Sequence, residues 1–169
     1  MKIYETTDSQ VKHIASIGIS VWTHNYGFDG VDSLMADFLW QTFTPAVILE
    51  KLNSSEKKLF SVSFEDRVIG FIEVNLDRPC PTASSRKVEI DKFYLLESFC
   101  NRGFGGQMMA FIKNWCKAQG IPDLWLTAWV HNERAKAFYL KHGFEHIGDT
   151  YFTGLKGEEH LNLVFSLTL

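Results

Sequence analysis

No stretch of about 18 apolar residues occurs in the chain, so nothing in it reads as a membrane-spanning helix. The opening residues, Met1-Lys2-Ile3-Tyr4-Glu5, lack the charged start and long apolar stretch of a secretory signal. Cysteine is scarce. Cys80, Cys100 and Cys116 form no Cys-x-x-Cys pair, and an odd count argues against a disulfide framework and for a reducing cytoplasm. Six histidines make no His-Glu-x-x-His pattern, so no metal is expected. There is no excess of basic charge: the net charge is −3 and the pI about 6.1, which argues against a nucleic-acid partner. Internal repeats, low-complexity segments and linkers are also missing.

What is present is an ordinary globular composition of 169 residues, 46% of them hydrophobic, and residues 1–169 are expected to form a single domain. Aromatics reach 14%, enough for a large core, an aromatic-walled pocket, or both. Charge is unevenly spread. Residues 1–85 hold 7 basic and 11 acidic groups, and residues 86–169 hold 10 and 9. Between 100 and 142, Arg102, Lys113, Lys117, Arg134, Lys136 and Lys141 face only Asp123 and Glu133. A locally positive stretch in an acidic chain suits a bound anion, although it equally describes a solvated helix face.

Hydrophobic periodicity predicts a short strand at 2–6, then a helix carrying Val11, Ile14, Ala15, Gly18, Val21 and Trp22. A loop is expected from His24 to Gly30, then a second helical region over 32–54 interrupted near Pro45. Two apolar runs around Glu65-Asp66-Arg67 predict a hairpin, followed by a turn-rich loop at 77–87. Further strands are expected at 88–95, 124–130, 144–152 and 160–167, with helices at 103–119 and 132–142. The last two strands are joined by a loop containing Gly154 and Gly157. The order β-α-α-β-β-β-α-β-α-β-β predicts a mixed sheet with helices on its faces.

The stretch Asn101-Arg102-Gly103-Phe104-Gly105-Gly106 leaves a strand and opens a helix. Its glycines allow positive φ and close backbone approach, and the first helical turn offers N–H groups and a partial positive charge. Such a place suits a phosphate or diphosphate, with Arg102 as a charged donor at its rim. A dinucleotide fingerprint would need glycine where Met108 stands, and a Walker loop would need Gly-Lys-Ser/Thr where Gly106-Gln107-Met108 stands. A plain tight turn remains the alternative.

Phe93-Tyr94-Leu95 followed by Cys100-Asn101-Arg102-Gly103-Phe104-Gly105 resembles the acetyl-CoA loop of GNAT-type N-acetyltransferases. That family's pattern is Gln/Arg-x-x-Gly-x-Gly/Ala. The glycines match, but Cys100 stands at the leading Gln/Arg, which takes away one side-chain contact to the diphosphate. A second stretch, from Asn132 through Ala135 and Phe138-Tyr139 to Gly143-Phe144, resembles the later GNAT motif. Asn132 and Tyr139 lie two helical turns apart, on one face. The resemblance implies a GNAT-like α+β (mixed α/β) fold with a central, mostly antiparallel sheet, and acetyl-CoA as co-substrate. It implies that Phe93, Tyr94, Leu95, Arg102, Gly103, Phe104, Gly105, Gly106, Asn132, Ala135, Phe138 and Lys141 bind this co-substrate. Asn132 would hold the pantetheine arm, and Tyr139 would protonate the departing thiolate. The run from Trp125 to Phe144, with Tyr151-Phe152 and a final strand, looks closest to the Pai-type polyamine acetyltransferases.

Such a reaction is direct attack of an amine on the thioester. Freeing an amine of pKa about 10.4 at pH 7 costs about 4.6 kcal/mol, so a base is useful. Glu89 matches a base position used by some GNAT relatives, with Asp91 as its substitute; both equally read as solvent-facing strand charges. Backbone N–H groups near Leu95 would polarise the carbonyl. Trp22, His24, Tyr26, Phe28 and Trp129 are candidates for the acceptor wall, since aromatics with acids suit a cationic amine; loop-anchoring packing would use the same side chains. The expected acceptor is a small-molecule amine, a polyamine such as spermidine foremost, or a peptide amine. It would be recognised by this domain alone or as a homodimer, with no membrane or nucleic-acid partner. The other readings are a protein N-terminal or drug-amine acetyltransferase and a non-catalytic acyl-CoA-binding regulatory domain.

Overall fold

The computed structural model describes residues 1–153 and 159–169, so Gly154 and Gly157 lie outside the described residues. The strands are β1 (Lys2–Glu5), β2 (Lys57–Phe64), β3 (Arg67–Asn75), β4 (Glu89–Leu95), β5 (Asp123–Trp129), β6 (Glu145–Phe152) and β7 (His160–Thr168). The helices are α1 (Val11–Tyr26), α2 (Ser33–Thr42), α3 (Pro45–Leu52), α4 (Phe104–Ala118) and α5 (Glu133–Lys141). The strands form one seven-stranded sheet in the order β1-β2-β3-β4-β5-β7-β6. β1 with β2, β5 with β7 and β6 with β7 are antiparallel, while β4 and β5 run parallel, with Glu89 opposite Trp125. This is the expected mixed, mostly antiparallel architecture.

The interruption expected near Pro45 divides the region 32–54 into two helices: Pro45 cannot continue α2 and takes the first position of α3, capped by Thr44 Oγ1 accepting from the Val47 N–H at 3.3 Å. One expectation is corrected. His24 and Tyr26 belong to α1 rather than to a loop; the helix continues until Gly27, whose N–H still donates to the Thr23 carbonyl at 2.8 Å. The hairpin at 64–67 is as expected. Glu65 and Asp66 both have positive φ, 49° and 60°, as a two-residue turn matched to strand twist requires.

The chain divides into two compact units: Met1–Glu73 with Lys92–Met108, and Val74–Asp91 with Met109–Leu169. In the first unit, α1 buries the stripe Val11, Ile14, Ala15, Ile17, Gly18, Val21 and Trp22. Gly18 is there for space: a Cβ would sit 2.2 Å from the fully buried Phe43 ring. Phe71 at the centre of β3 and Ile48 of α3 are likewise out of solvent. In the same unit Glu73 is fully buried, its carboxylate accepting from Lys51 Nζ at 2.8 Å and facing Lys57 Nζ at 3.5 Å.

In the second unit, Trp125 and Val164 pack with Cys80, and Ala83 and Ile147 extend the cluster. The expected loop at 77–87 is tightly folded. Arg78 and Cys80 N–H groups donate to the Lys87 and Arg86 carbonyls at 2.7 and 2.9 Å, and the Trp125 indole N–H donates to the Arg78 carbonyl at 2.9 Å. α5 ends as expected at Gly143, φ 86°. Among the described residues no helix is long and apolar enough to cross a membrane.

Candidate active site

Four of the expected site groups fall in the first unit. β4 runs out at Leu95, a 3₁₀ turn spans Glu97–Phe99, and the chain enters the glycine-rich loop. Asn101 and Gly103 take φ 57° and 81°, so two left-handed residues flank Arg102 and turn the chain into α4. The Gly103 carbonyl accepts from the Gln107 N–H at 3.3 Å, which places Phe104, Gly105 and Gly106 in the first helical turn, where N–H groups lack intrahelical acceptors. The Arg102 guanidinium carbon lies 5.4, 5.1 and 5.2 Å from the ring centroids of Phe64, Phe99 and Phe104. The Cys100 thiol is half-buried, 3.9 and 3.8 Å from the Leu95 and Leu96 carbonyls.

The Leu96 N–H donates to the Ile69 carbonyl at 2.9 Å, which commits that amide to sheet pairing and takes it out of the set near Leu95 available to a carbonyl substrate. Phe93, Tyr94 and Leu95 are each half-buried. The Tyr94 ring packs 5.4 Å from Phe71 and 6.3 Å from Phe43, so its side chain belongs to an aromatic row. That row continues through Phe38 to Trp22 and Tyr26, with Trp22 4.4 Å from Tyr26 and 4.5 Å from Phe38. Trp22 is buried, Tyr26 half-buried and Phe28 69% exposed, so the proposed acceptor aromatics grade from core to solvent. His24 Nε2 lies 3.4 Å from Glu97 Oε2, both largely exposed.

The second unit holds the remaining groups. Glu89, at the start of β4, is 7% exposed, which removes the reading of an ordinary solvent-facing charge. Its Oε2 accepts from the amide of the equally buried Asn75 at 2.6 Å and lies 3.9 Å from Arg78 Nε. Asp91 is half-buried further along the strand. Asn132 caps α5, its Oδ1 accepting from the Ala135 N–H at 3.0 Å, a bond that uses the carbonyl end and not the NH₂ end of the amide. Tyr139 is half-buried among Phe138, Phe144 and Phe165, with centroids 5.5, 5.8 and 6.1 Å away. Phe138 also lies 4.4 Å from the His142 ring, and Lys141 is exposed. Trp129 sits at the end of β5, edge-on to His131 at 4.9 Å.

Two groups near α5 are perturbed. Burial, then the neighbouring Lys117 ammonium, holds the Lys113 ammonium below its ordinary pKa, and its Nζ donates to the His142 carbonyl at 2.6 Å. Burial, then Lys113 and Lys141, lowers His142. Burial alone pushes the Cys116 thiol up to about 12, so it has no nucleophilic role. Among the described residues no group of three His, Cys, Asp or Glu could hold a metal ion.

Sequence reasoning missed Asn75, Phe64, Phe99 and Phe38. Only Asn75 left a trace: it is a polar residue closing the apolar run 68–76, and its strand is otherwise buried. Partners for Arg102 come from three separate elements, and nothing in the linear order joins them.

The model of the Acetyltransferase (GNAT) family matches residues 25–144, and the chain belongs to this family and is an acyltransferase of the N-acetyltransferase type. An uncharacterized N-acetyltransferase in the pepI 3'region of Lactobacillus delbrueckii subsp. lactis is 24% identical over 153 residues, covering 90% of this chain and 88% of the relative. Among solved structures, PaiA N-acetyltransferase from Thermoplasma acidophilum in complex with coenzyme A superposes with TM-score 0.79 at 16% identity, covering 99% of this chain and 98% of that one. Ribosomal-protein-alanine N-acetyltransferase from Brucella melitensis superposes at 0.73 with 17% identity over the full length of both. These two likenesses are of fold.

Proposed function

We propose that this acyltransferase moves an acetyl group from acetyl-CoA to a primary amine by direct attack, and that a polyamine is its acceptor. The observation that carries the reading is Glu89: a carboxylate at the start of the strand that feeds the glycine-rich turn, buried, and oriented by Asn75 at 2.6 Å. In this reading the turn at 101–106 in the first unit holds the diphosphate of the donor. That PaiA N-acetyltransferase was solved with coenzyme A supports the donor.

Glu89 takes the proton of the substrate ammonium, so the amine lone pair can form the new C–N bond to the thioester carbonyl carbon. The C–S bond breaks, and the Tyr139 hydroxyl gives its proton to the departing sulfur. The second N–H proton that the new amide must lose passes through water to restore the Tyr139 hydroxyl, Glu89 releases its proton to water, and no covalent bond to the protein forms. Asp91 is the second candidate base. The aromatics Trp22, Tyr26 and Phe28 with His24, all in the first unit, are the acceptor contacts we assign. A cationic acceptor is supported by charge: from His13 to Glu50 there is no lysine or arginine, whereas Asp29, Asp32, Asp37 and Glu50 are all there. Three free cysteines fit a compartment where thiols stay reduced.

The test is thiol release from acetyl-CoA with spermidine, a peptide bearing a free N-terminus and an aminoglycoside, followed by mass spectrometry of the products. Acetylated spermidine as the preferred product is the expected result. An acetylated peptide with unmodified spermidine would overturn the polyamine assignment and leave acetyl transfer standing. Coenzyme A binding without turnover on any amine would overturn catalysis.

A further inference from the structure

Exposed apolar surface is unevenly placed in this protein. Among the described residues seven large apolar side chains stand open to solvent, and five of them, Phe28, Val31, Leu34, Trp40 and Leu49, fall within one stretch of the first unit. The two faces of α2 account for part of this. Its inner face is used: Met35 and Leu39 are buried, and the Phe38 ring packs 4.5 Å from Trp22 of α1. Its outer face presents Leu34, Asp37 and Trp40, spaced three apart, so the carboxylate stands between two apolar side chains. Trp40 is 65% exposed. Among the described residues neither Trp40 nor the Asp37 carboxylate has a hydrogen bond, ion pair or ring contact. The outer face of a surface helix is ordinarily polar, and a tryptophan beside a second apolar side chain there marks an interaction surface.

Charge around that face says what its partner carries. No lysine or arginine occurs from His13 to Glu50, and Asp29 and Asp37 are both exposed, so the partner is basic. A matching surface exists on this same chain. In the second unit α5 exposes Arg134, Ala137, Leu140 and Lys141, which share one side of the helix at spacings of three and four. Leu140 is 54% exposed. The acid of that helix, Glu133, is engaged by Lys136 at 2.6 Å. One face is thus an acid among apolar groups, and the other is a pair of bases among apolar groups. Like on like fails: α2 on α2 sets Asp37 against Asp37, and α5 on α5 sets cation against cation. Unlike faces match in charge and in apolar content, and the Trp40 ring also offers its face to a guanidinium.

We propose that the α2 face of one copy docks on the α5 face of a second copy, with Leu34 and Trp40 against Ala137 and Leu140 and with Asp37 paired to Arg134. Each copy carries both faces, so the contact joins unlike surfaces, and such a contact closes into a ring or extends as a chain. The proposal does not rest on the acetyl-transfer reading, since neither Glu89 nor Tyr139 takes part in it.

The test is the sedimentation mass of the full chain against concentration, with folding checked by circular dichroism. The natural chain rises above the 19.4 kDa of one copy as concentration increases. Raising salt from about 0.1 M to about 1 M shortens the screening length from about 10 Å to about 3 Å and weakens association about threefold. Trp40→Ser weakens it about thirtyfold, and Asp37→Arg or Arg134→Glu about tenfold. All three side chains are exposed, so the variants keep the fold. Mixing Asp37→Arg chains with Arg134→Glu chains restores association, because each retains the face that the other has lost; a misfolded variant could not be rescued this way. A natural chain that keeps the mass of one copy at millimolar concentration overturns the proposal, and if it then binds an oligolysine peptide that Asp37→Arg rejects, the face serves a foreign basic segment instead. Association that survives Arg134→Glu and tightens in Asp37→Arg is α2 on α2, and overturns it as well.

Discussion

Among the described residues two carboxylates are buried, one in each compact unit, and their surroundings differ. Glu73 in the first unit is met by two ammonium groups, Lys51 at 2.8 Å and Lys57 at 3.5 Å, from α3 and β2. Glu89 in the second accepts from the Asn75 amide at 2.6 Å and pairs more loosely with Arg78 Nε at 3.9 Å. A carboxylate between two ammonium groups, one from a helix and one from a strand, ties that helix to the sheet. A short amide hydrogen bond fixes the geometry of the carboxylate, which suits the base role we propose for it. The difference is what the proposed roles require, a fastener in Glu73 and the proposed base in Glu89, although both are glutamates on neighbouring strands.

Glu89→Gln is the sharpest test of that contrast. It keeps volume and hydrogen bonding and removes the proton acceptor, so kcat with an amine acceptor falls about 10²- to 10⁴-fold while the melting temperature moves little. Glu73→Gln does the reverse. Two lysines lose their counter-charge, and stability falls by about 3 kcal/mol, at the low end for a broken buried pair because both lysines reach some solvent. A melting temperature lower by about 6–12 °C, with kcat unchanged below the transition, is the expected record. If Glu73→Gln lost turnover and Glu89→Gln lost only stability, the two assignments would have to be exchanged.

The contrast was half legible beforehand. Glu89 is marked in the sequence only by its match to a base position used by some GNAT relatives. Glu73 is not marked, because one acid inside Val68–Leu76 says nothing about which lysines arrive from residues 51 and 57. Helices, hairpin and glycine turn followed from periodicity, Pro45 and the glycines, all local signals. The end of α1 was misjudged because His24 to Tyr26 are weak helix formers kept helical by packing, Tyr26 lying 4.4 Å from Trp22. Asn75 and the three rings around Arg102 were invisible because their meaning exists only across the sheet, or across elements tens of residues apart.

Tyr139→Phe comes next in size. The hydroxyl is removed and the ring contacts with Phe144 and Phe165 are retained, so folding is preserved. A departing thiolate of pKa near 8.5 needs less help than an alkoxide, so kcat falls about 10²-fold, at the low end for a general acid. Full activity across pH 6–9 in a steady-state assay would remove Tyr139 from the mechanism. Asn75→Leu is smaller. Glu89 keeps its carboxylate and loses the 2.6 Å bond that orients it, and kcat falls about tenfold, with partial recovery in Asn75→Gln. A pure packing role for Asn75 would lower the melting temperature and spare kcat.

The smallest effect concerns His142, in the same unit as Glu89. Burial, with Lys113 and Lys141 adding to it, holds its folded-state pKa below the ordinary 6.5. Above 6.5 the ring is neutral in both folded and unfolded chains and costs nothing. As pH falls below 6.5 the unfolded chain takes up a proton that the folded chain resists, so stability drops until the pH passes the folded value. The residue is only half-buried, so the loss is a fraction of a kcal/mol after solvent screening. His142→Gln removes this term, and the fall in melting temperature between pH 7.5 and 5.5 becomes shallower by about 1–2 °C. A steeper fall in the variant would mean that the ring gains a proton on folding, which the adjacent Lys113 ammonium, donating to the His142 carbonyl at 2.6 Å, opposes.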